Sequence, residues 1–343
     1  MPIHVGIVGG GNISETHARA AEAIPGVEIA AVFGTNHQRV EHLAGEYGCA
    51  AYSNFEKFLA HKPMDFVAIG SPSGVHAEQG IAAARRGLHV LTEKPIDITT
   101  QAADALIAAA TEERVKLGVF FQDRFKGDLI RVKKWLDSGL LGKPILADAR
   151  VKWFRPPEYY GHSSWRGTLR MDGGGALINQ AIHTVDLLLW FFGDVVRVQA
   201  QKKTAFHQIE AEDMLVALLE FANGATGVFQ ATTLAYPGYP RRVELTGEEG
   251  TITIEHDRLV ATDLRKPPGD TQGQGDDRNP SASSPAVSDV RGHQAVMEDF
   301  IQAIQKNLTP RCSGAEARRS LALVEALYEA CETGGQVELG KRH

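Results

Sequence analysis

Cysteine, long apolar runs and an excess of positive charge are what this chain has least of, and each shortage removes a class of protein. Its three cysteines, Cys49, Cys312 and Cys331, are odd in number, far apart and in no metal-ligand spacing. They read as reduced thiols, and neither a disulfide scaffold nor a zinc site is expected. No apolar stretch approaches the roughly 20 residues that span a bilayer, and Met1–Gly11 has neither the basic nor the apolar region of a secretion signal. The expected address is the cytoplasm. With 36 basic against 42 acidic residues and a formal charge of −6, the chain has no general attraction for nucleic acid or anionic lipid.

What is present is an ordinary soluble composition, 43% apolar and 23% charged, over 343 residues. At roughly 100–200 residues per domain this length suggests two domains. Glycine is the one excess, at 35 residues, and it gathers in two triplets, Gly9-Gly10-Gly11 and Gly173-Gly174-Gly175.

Short β-rich runs alternate with helical patterns through the first 120 residues, the signature of βαβ units and a doubly wound parallel sheet. The expected strands are Ile3–Val8, Glu28–Phe33, Phe66–Ile69, His89–Thr92 and Val115–Phe121, with helices over Ser14–Ala23, Gln38–Tyr47, Ala77–Arg86 and Thr100–Thr111 between them. Beyond residue 123 the pattern changes. Helices are expected over Asp128–Ser138 and near Ala176–Phe192, then strands at Met214–Phe221 and Thr226–Thr233 joined by Asn223-Gly224, a strong hairpin signal. A second pair, Arg242–Thr246 and Thr251–His256, precedes helices at His293–Gln305 and Gly314–Thr333. The fold class is therefore α/β: a Rossmann domain over 1–123, then an α+β domain over 124–343 on a largely antiparallel open sheet. Residues 267–285, dense in Pro, Gly, Asp and Ser, are expected to form a mobile surface loop running on to about 292.

Gly9-Gly10-Gly11-Asn12-Ile13-Ser14 follows an apolar strand and opens a helix, the context in which a GxGxxG fingerprint carries meaning. Gly9 permits the tight turn, and Gly11 lets the backbone approach a pyrophosphate at the helix N-terminus. Ser14 stands at the third position, small enough for close helix–strand packing. An NAD site usually offers a carboxylate at the end of the second strand; this chain has Gly34-Thr35-Asn36-His37-Gln38-Arg39 there. With no carboxylate, and with Thr35, Asn36 and Arg39 able to donate to a 2′-phosphate, the expectation of NAD or NADP tips toward NADP. Arg39 as a solvated helix residue and a pocket accepting both is the competing reading. Two further loops lie at the same carboxyl edge of the sheet: Gly70-Ser71-Pro72-Ser73-Gly74-Val75-His76 and Thr92-Glu93-Lys94-Pro95. With Asn12, Ile13, Ser71, Pro72, His76, Glu93 and Lys94 they complete the expected nucleotide contacts at that edge.

The second triplet leads into Ala176–Asp186, where Asn179, His183 and Asp186 stand at i, i+4 and i+7 and share one face of a helix. Taken singly, Lys94 reads as a surface lysine and His183 as a hydrogen-bonded core histidine. Together, the glycine motif, Glu93-Lys94-Pro95 and Gly-Gly-Gly…Asn179…His183…Asp186, in this order, resemble the glucose–fructose oxidoreductase, inositol dehydrogenase and rhizopine-catabolism (Gfo/Idh/MocA) oxidoreductases over nearly the whole chain. The resemblance implies a Rossmann domain followed by an α/β domain whose open sheet often forms the oligomer interface, hence a homodimer or homotetramer. It implies Lys94 and His183 as catalytic residues and Gln122-Asp123-Arg124-Phe125 as a strand end lining the cleft, with Gln122 touching cofactor and Arg124 substrate; a structural role for that segment is the equal alternative. The family commonly has Asp where this chain has Asn179, and the Asn-Gln variant resembles the subgroup that includes nucleotide-sugar dehydrogenases.

The chemistry fits that reading. Oxidation of a secondary alcohol removes a hydroxyl proton as hydride leaves carbon, and His183 has a suitable intrinsic pKa for the base. Lys94 would stabilise the oxygen, and Asn179 and Asp186 would hold geometry. Specificity is expected in Lys152–Tyr160 and Trp165–Thr168, where Tyr160, Trp165 and Arg166 are candidate substrate contacts alongside Lys94, Asn179 and His183. For Trp153 and Trp165 a core role competes, and for Arg166 a structural ion pair. The substrate expected is a sugar, cyclitol or nucleotide sugar, with no metal, nucleic acid or membrane involved. Redox-neutral elimination or glycoside cleavage through NAD, and a non-catalytic NAD(P) sensor, are the alternatives.

Overall fold

The computed structural model of the chain describes residues 2–161, 163–266, 268–269 and 289–340. The stretch read as a mobile loop therefore lies, but for 268, 269 and its last residues, outside the described residues. The chain separates into two units, one within Met1–Gln122 and Ala286–Arg318, the other within Asp123–Pro285 and Arg319–His343.

The first unit runs β1 (Ile3–Val8), α1 (Asn12–Glu22), β2 (Val27–Phe33), α2 (His37–Tyr47), β3 (Ala50–Tyr52), α3 (Phe55–Leu59), β4 (Phe66–Ile69), α4 (His76–Ala84), β5 (His89–Thr92), α5 (Thr100–Glu112) and β6 (Leu117–Val119). Among the described residues its sheet has six strands in the order β3-β2-β1-β4-β5-β6, every pairing parallel. This is the doubly wound order whose reversal between β1 and β4 opens a crevice at the strands' carboxyl ends. Strands covered on both faces read as continuous apolar runs: all four residues of β4 are buried, and Val5, Ile7 and Val8 of β1 are fully enclosed. Asn36, Asn54 and Thr99 cap α2, α3 and α5 through their side chains, and Gly48 ends α2 in the left-handed conformation at φ 64°.

The second unit holds α6 (Gly127–Asp137), β7 (Pro144–Lys152), α7 (Pro157–Gly161), a π-helical turn at Ala176–Ala181, α8 (Ile182–Phe192), and strands β8 (Val195–Lys203), β9 (Met214–Phe221), β10 (Thr226–Thr232), β11 (Arg242–Gly247), β12 (Gly250–Glu255) and β13 (Arg258–Leu264). α9 (Arg291–Gln305), α10 (Gly314–Thr333) and β14 (Gln336–Glu338) complete the chain. Eight described strands form the sheet β13-β12-β11-β7-β10-β9-β8-β14, antiparallel except for β7 beside β10. α8 is apolar on nearly every side and packs with the π turn against one face of this sheet. The other face shows Leu146, Val216 and Leu218, each 40% exposed or more.

The division at 123/124 does not capture the late chain. Arg291 and Gly292, read as the end of the loop, open α9, and this helix returns to the first unit. The reason is its apolar stripe, Val296, Met297, Phe300, Ile301 and Ala303, at helical spacing. Phe300 lies edge-on to Phe66 at 5.6 Å and so close to Gly118 that a Cβ there would sit 2.8 Å from its ring.

Candidate active site

In the first unit, β1 turns into α1 through Gly9 at φ 119°, where a side chain would meet the Gly70 carbonyl oxygen at 2.9 Å. Ser14 is fully buried under this turn, which its small side chain permits. Gly11 behaves differently. It is the N-cap of α1, no side chain caps the helix there, and a Cβ on it would find nothing within 4 Å. The helix start thus offers backbone N–H groups across open space, an arrangement suited to a pyrophosphate. Asn12 is exposed and Ile13 half-buried beside it. At the end of β2, Gly34 is buried, and a Cβ there would press on Val40 and the Gly9-Gly10 backbone; Thr35, Asn36 and Arg39 are exposed. Asn36 accepts from the Arg39 N–H at 3.1 Å, so its oxygen is spent on capping α2.

The next two loops are tied together by His76. Expected as a nucleotide contact, it is instead buried, one ring nitrogen 2.8 Å from the Ser71 carbonyl and the other 2.8 Å from that of Pro95. The Ser71 hydroxyl donates to Gln79, and Pro72 precedes the short turn Ser73–Val75. Gln122 is half-buried at the end of the unit, with its side-chain oxygen enclosed.

Glu93 also turns inward. One carboxylate oxygen accepts from His17 Nε2 at 3.1 Å and from His293 Nε2 at 3.3 Å; the other accepts the Lys94 N–H at 3.2 Å. His17 has no exposed side-chain surface and stacks on Phe120 at 4.4 Å. Burial works against the Glu93 charge, but the hydrogen bonds from the two histidines outweigh it and hold the carboxyl well below its usual range. Burial also lowers the His17 pKa, and Glu93 offsets this only in part. Glu93 therefore anchors the backbone of Lys94, whose side chain is half-buried.

A pH dependence of stability follows. With His17 kept neutral in the fold, the unfolded chain binds more protons as pH drops through 6.5, and Glu93 adds a second loss below 4.5. The thermal midpoint is expected to fall between about pH 7 and about pH 5, and a flat midpoint there would contradict a buried neutral His17.

In the second unit, the residues expected on one regular helix divide. Asn179 lies in the π turn, and His183 and Asp186 lie in α8. The wider turn changes the facing of Asn179 relative to i, i+4 geometry, and such insertions recur at functional sites. Asn179 donates to Asp172 and accepts from Gln180, whose own oxygen accepts from Arg155 Nε at 3.0 Å. The second glycine triplet serves this turn. A Cβ on Gly174 would strike the Tyr328 hydroxyl and one on Gly175 the Glu212 carbonyl, at 2.1 and 1.9 Å. Glu212, buried, accepts from the Gly175 and Leu177 N–H groups at 3.1 and 2.8 Å and from the Tyr328 hydroxyl at 3.0 Å. Burial pushes the Glu212 carboxyl up and, with Glu212 beside it, the Tyr328 phenol well up. This pair holds the start of the helix that carries His183.

Two expected substrate contacts are interior. Instead of facing a ligand, Arg124 is 2% exposed and donates from Nε and Nη2 to the two oxygens of Asp186, each at 2.7 Å. Ser320 also donates to Asp186. Tyr160 is likewise buried, its hydroxyl donating to Thr233 at 3.3 Å and its pKa raised to about 12 by burial. Trp165 and Arg166 are half-buried, with the Arg166 guanidinium 4.5 Å from the Tyr159 ring centre and 5.6 Å from that of Trp165. Two aromatic rings thus flank the Arg166 guanidinium.

His183 has a neighbour that the sequence placed only within the cleft-lining segment Gln122–Phe125, with no part of its own: its Nδ1 lies 3.9 Å from Asp123 Oδ2. The same oxygen accepts from Arg241 Nη1 at 2.8 Å, and Asp123 Oδ1 accepts from Lys126 Nζ at 2.6 Å. Burial opposes the Asp123 charge, yet Arg241, Lys126 and His183 hold its carboxyl well below the usual range. Missed too were His17, His293, Glu212 and Tyr328. His17 sits eight positions after the fingerprint's first glycine, a weak local signal; the others lie far from their partners in sequence.

Residues 3–121 match the model of an oxidoreductase family with an NAD-binding Rossmann fold, and residues 129–253 match the GFO/IDH/MocA C-terminal domain. Among solved structures, the WlbA dehydrogenase from Bordetella pertussis in complex with NADH and UDP-GlcNAcA is 31% identical, with 100% of both chains covered and a TM-score of 0.89. The WlbA dehydrogenase from Chromobacterium violaceum, with the same two ligands, is 28% identical over 100% of this chain and 97% of its own, with a TM-score of 0.90. Inositol 2-dehydrogenase of Rhizobium meliloti (strain 1021) is 25% identical over 99% of this chain and 100% of its own.

Proposed function

The chain belongs to the Gfo/Idh/MocA oxidoreductase family, and from that premise we propose that it oxidises a secondary alcohol on a nucleotide-linked sugar, with NAD(P) as the redox partner. The observation that carries the substrate class is likeness along the whole chain, at 31% identity, to a dehydrogenase crystallised with NADH and UDP-GlcNAcA. A bound NAD(P) would supply the acceptor for the hydride lost from the alcohol carbon. The residues suited to hold its dinucleotide are Gly9, Gly11, Asn12 and Ile13 at the α1 start, where the open space beside Gly11 fits a phosphate, with Thr35 and Arg39 at the ribose end.

His183 takes the hydroxyl proton as base. The Lys94 ammonium supplies positive charge to the substrate oxygen, its backbone held by the buried Glu93. Asn179, with its amide engaged by Asp172 and Gln180, keeps the turn before His183 in place. Trp165, Tyr159 and Arg166 offer a stacked, cationic surface suited to a sugar or base ring and an anionic group.

Acceptance of the 2′-phosphate of NADP is favoured by the exposed Arg39 and by the lack of a carboxylate among residues 34–39. Arg39→Glu is expected to weaken NADP binding about tenfold or more and leave NAD binding within about twofold, as loss of one charge-assisted contact implies. Equal effects on both nucleotides, measured by calorimetry, would remove Arg39 from the phosphate site. The substrate reading is tested with UDP-sugars, free sugars and inositols under NAD and NADP, following oxidised product by mass. Oxidation of a UDP-sugar is expected; oxidation of inositols or free sugars alone would move the substrate class.

A further inference from the structure

We propose that Asp123 is the positioning carboxylate of His183, a part that the uncharged Asn179 cannot fill in this chain. The inference rests on His183 being the base of the proposed oxidation. Asn179 is neutral, and its amide is occupied by Asp172 and Gln180. Asp123 approaches from a different element, the turn Gln122–Phe125, and points Oδ2 at His183 Nδ1 from 3.9 Å. Both side chains are largely buried, His183 at 12% and Asp123 at 7% exposure, so little water screens them.

The carboxylate is itself held firmly. Lys126, just before α6, donates to Asp123 Oδ1 and, at 2.5 Å, to Asp257 Oδ2. Arg241, just before β11, donates to Asp123 Oδ2 and to Asp257, which lies between β12 and β13, and reaches Thr184 beside His183 at 3.4 Å. Two anions and two cations thus close a ring of zero formal charge, with its anionic corner nearest His183. Burial, and then the nearby Lys126 and Arg241, lower the pKa of the neighbouring His256, so it adds no charge at neutral pH. On α8 itself Asp186 is neutralised by Arg124.

A carboxylate on the Nδ1 side favours the tautomer with the proton on Nδ1, leaving the Nε2 lone pair to accept the substrate proton. It also stabilises the imidazolium that results. At 3.9 Å the contact is longer than a hydrogen bond, and such contacts commonly tighten in the complex with substrate. Asp123 never touches substrate in this account; it acts through His183.

The test is Asp123→Asn, near in size and still able to bond Arg241 through its carbonyl. We expect kcat to fall by roughly 10²-fold, with nucleotide KM unchanged, short of the ~10⁴ found when a directly bonded carboxylate is neutralised. The acid limb of the kcat profile should move to lower pH, because removing the anion leaves the ring of charges at +1 beside the imidazole. A folded Asp123→Asn protein with unchanged kcat and acid limb would overturn the proposal, as would loss of thermal stability with neither kinetic change. Nitrogen NMR of the wild-type protein, with His183 assigned by difference from His183→Gln, tests it without reference to folding of the Asp123 variant. A proton on Nδ1 is expected, and a proton on Nε2 would contradict the role of Asp123. A wild-type protein that turns over no alcohol would defeat the proposed function, while the tautomer measurement still reports on Asp123.

Discussion

His183→Ala is expected to lower kcat by about 10²–10⁴-fold, the range associated with one positioned acid–base group. Nucleotide affinity should stay within about twofold, because His183 is not among the proposed nucleotide contacts. Lys94→Ala should cost about 10²–10³-fold in kcat, as removal of one electrostatic donor does elsewhere. The two losses should combine to less than their product, since groups acting in one proton transfer are not additive. Steady-state kinetics on both single variants and the double variant check this. Full activity in either single variant would remove that residue from the chemistry.

Gly11→Val is expected to weaken nucleotide binding by more than about 10²-fold while leaving the thermal midpoint near that of the wild type. The physical basis is that a Cβ on Gly11 meets no protein atom within 4 Å, while its backbone, at φ −100°, is ordinary for any residue. A branched side chain there fills only the volume assigned to pyrophosphate. Gly175→Ala should do the reverse. Its Cβ would lie 1.9 Å from the Glu212 carbonyl oxygen, so the backbone must move and the bonds from Gly175 and Leu177 to Glu212 must loosen. We expect about 3 kcal/mol or more of lost stability with nucleotide binding retained. Titration calorimetry paired with thermal melts separates the two outcomes. A destabilised Gly11→Val with normal affinity would show the first triplet to be structural as well.

The two glycine clusters illustrate what a sequence can and cannot reveal. The first was legible because its partners are local: an apolar strand, a turn and a helix within 20 residues. For the second, only the fold shows that its small residues make room for Tyr328 and Glu212, which meet across 116 positions. Strands with large buried residues, such as Ile3–Val8 and Met214–Phe221, were legible to the residue. β7 was not, because its inner face is Ala147, Ala149 and Val151 while Ile145 and Leu146 are exposed, which weakens the usual alternation. β3, with two half-buried residues flanking an exposed one, carries little signal of any kind.

The site shows the same division. Motif order singles out Lys94 and His183 as candidates. Arg124 and Tyr160 look from sequence like polar groups beside a cleft, yet one is satisfied by Asp186, 62 residues away, and the other by Thr233, 73 away. Glu93 is legible as part of its motif, but His293, 200 positions later, is not. Buried polar groups need partners, and a sequence indicates the need without naming the partner.

The proposed activity is net oxidation of a carbon-bound hydroxyl with reduction of NAD(P). The most direct measurement is the ratio of reduced nicotinamide, read by absorbance, to oxidised UDP-sugar, read by mass, over many turnovers in excess NAD(P). One reduced nicotinamide per oxidised product is the result predicted. Product accumulating with no net change in nicotinamide absorbance would contradict the claim and point to redox-neutral elimination or bond cleavage on the same scaffold.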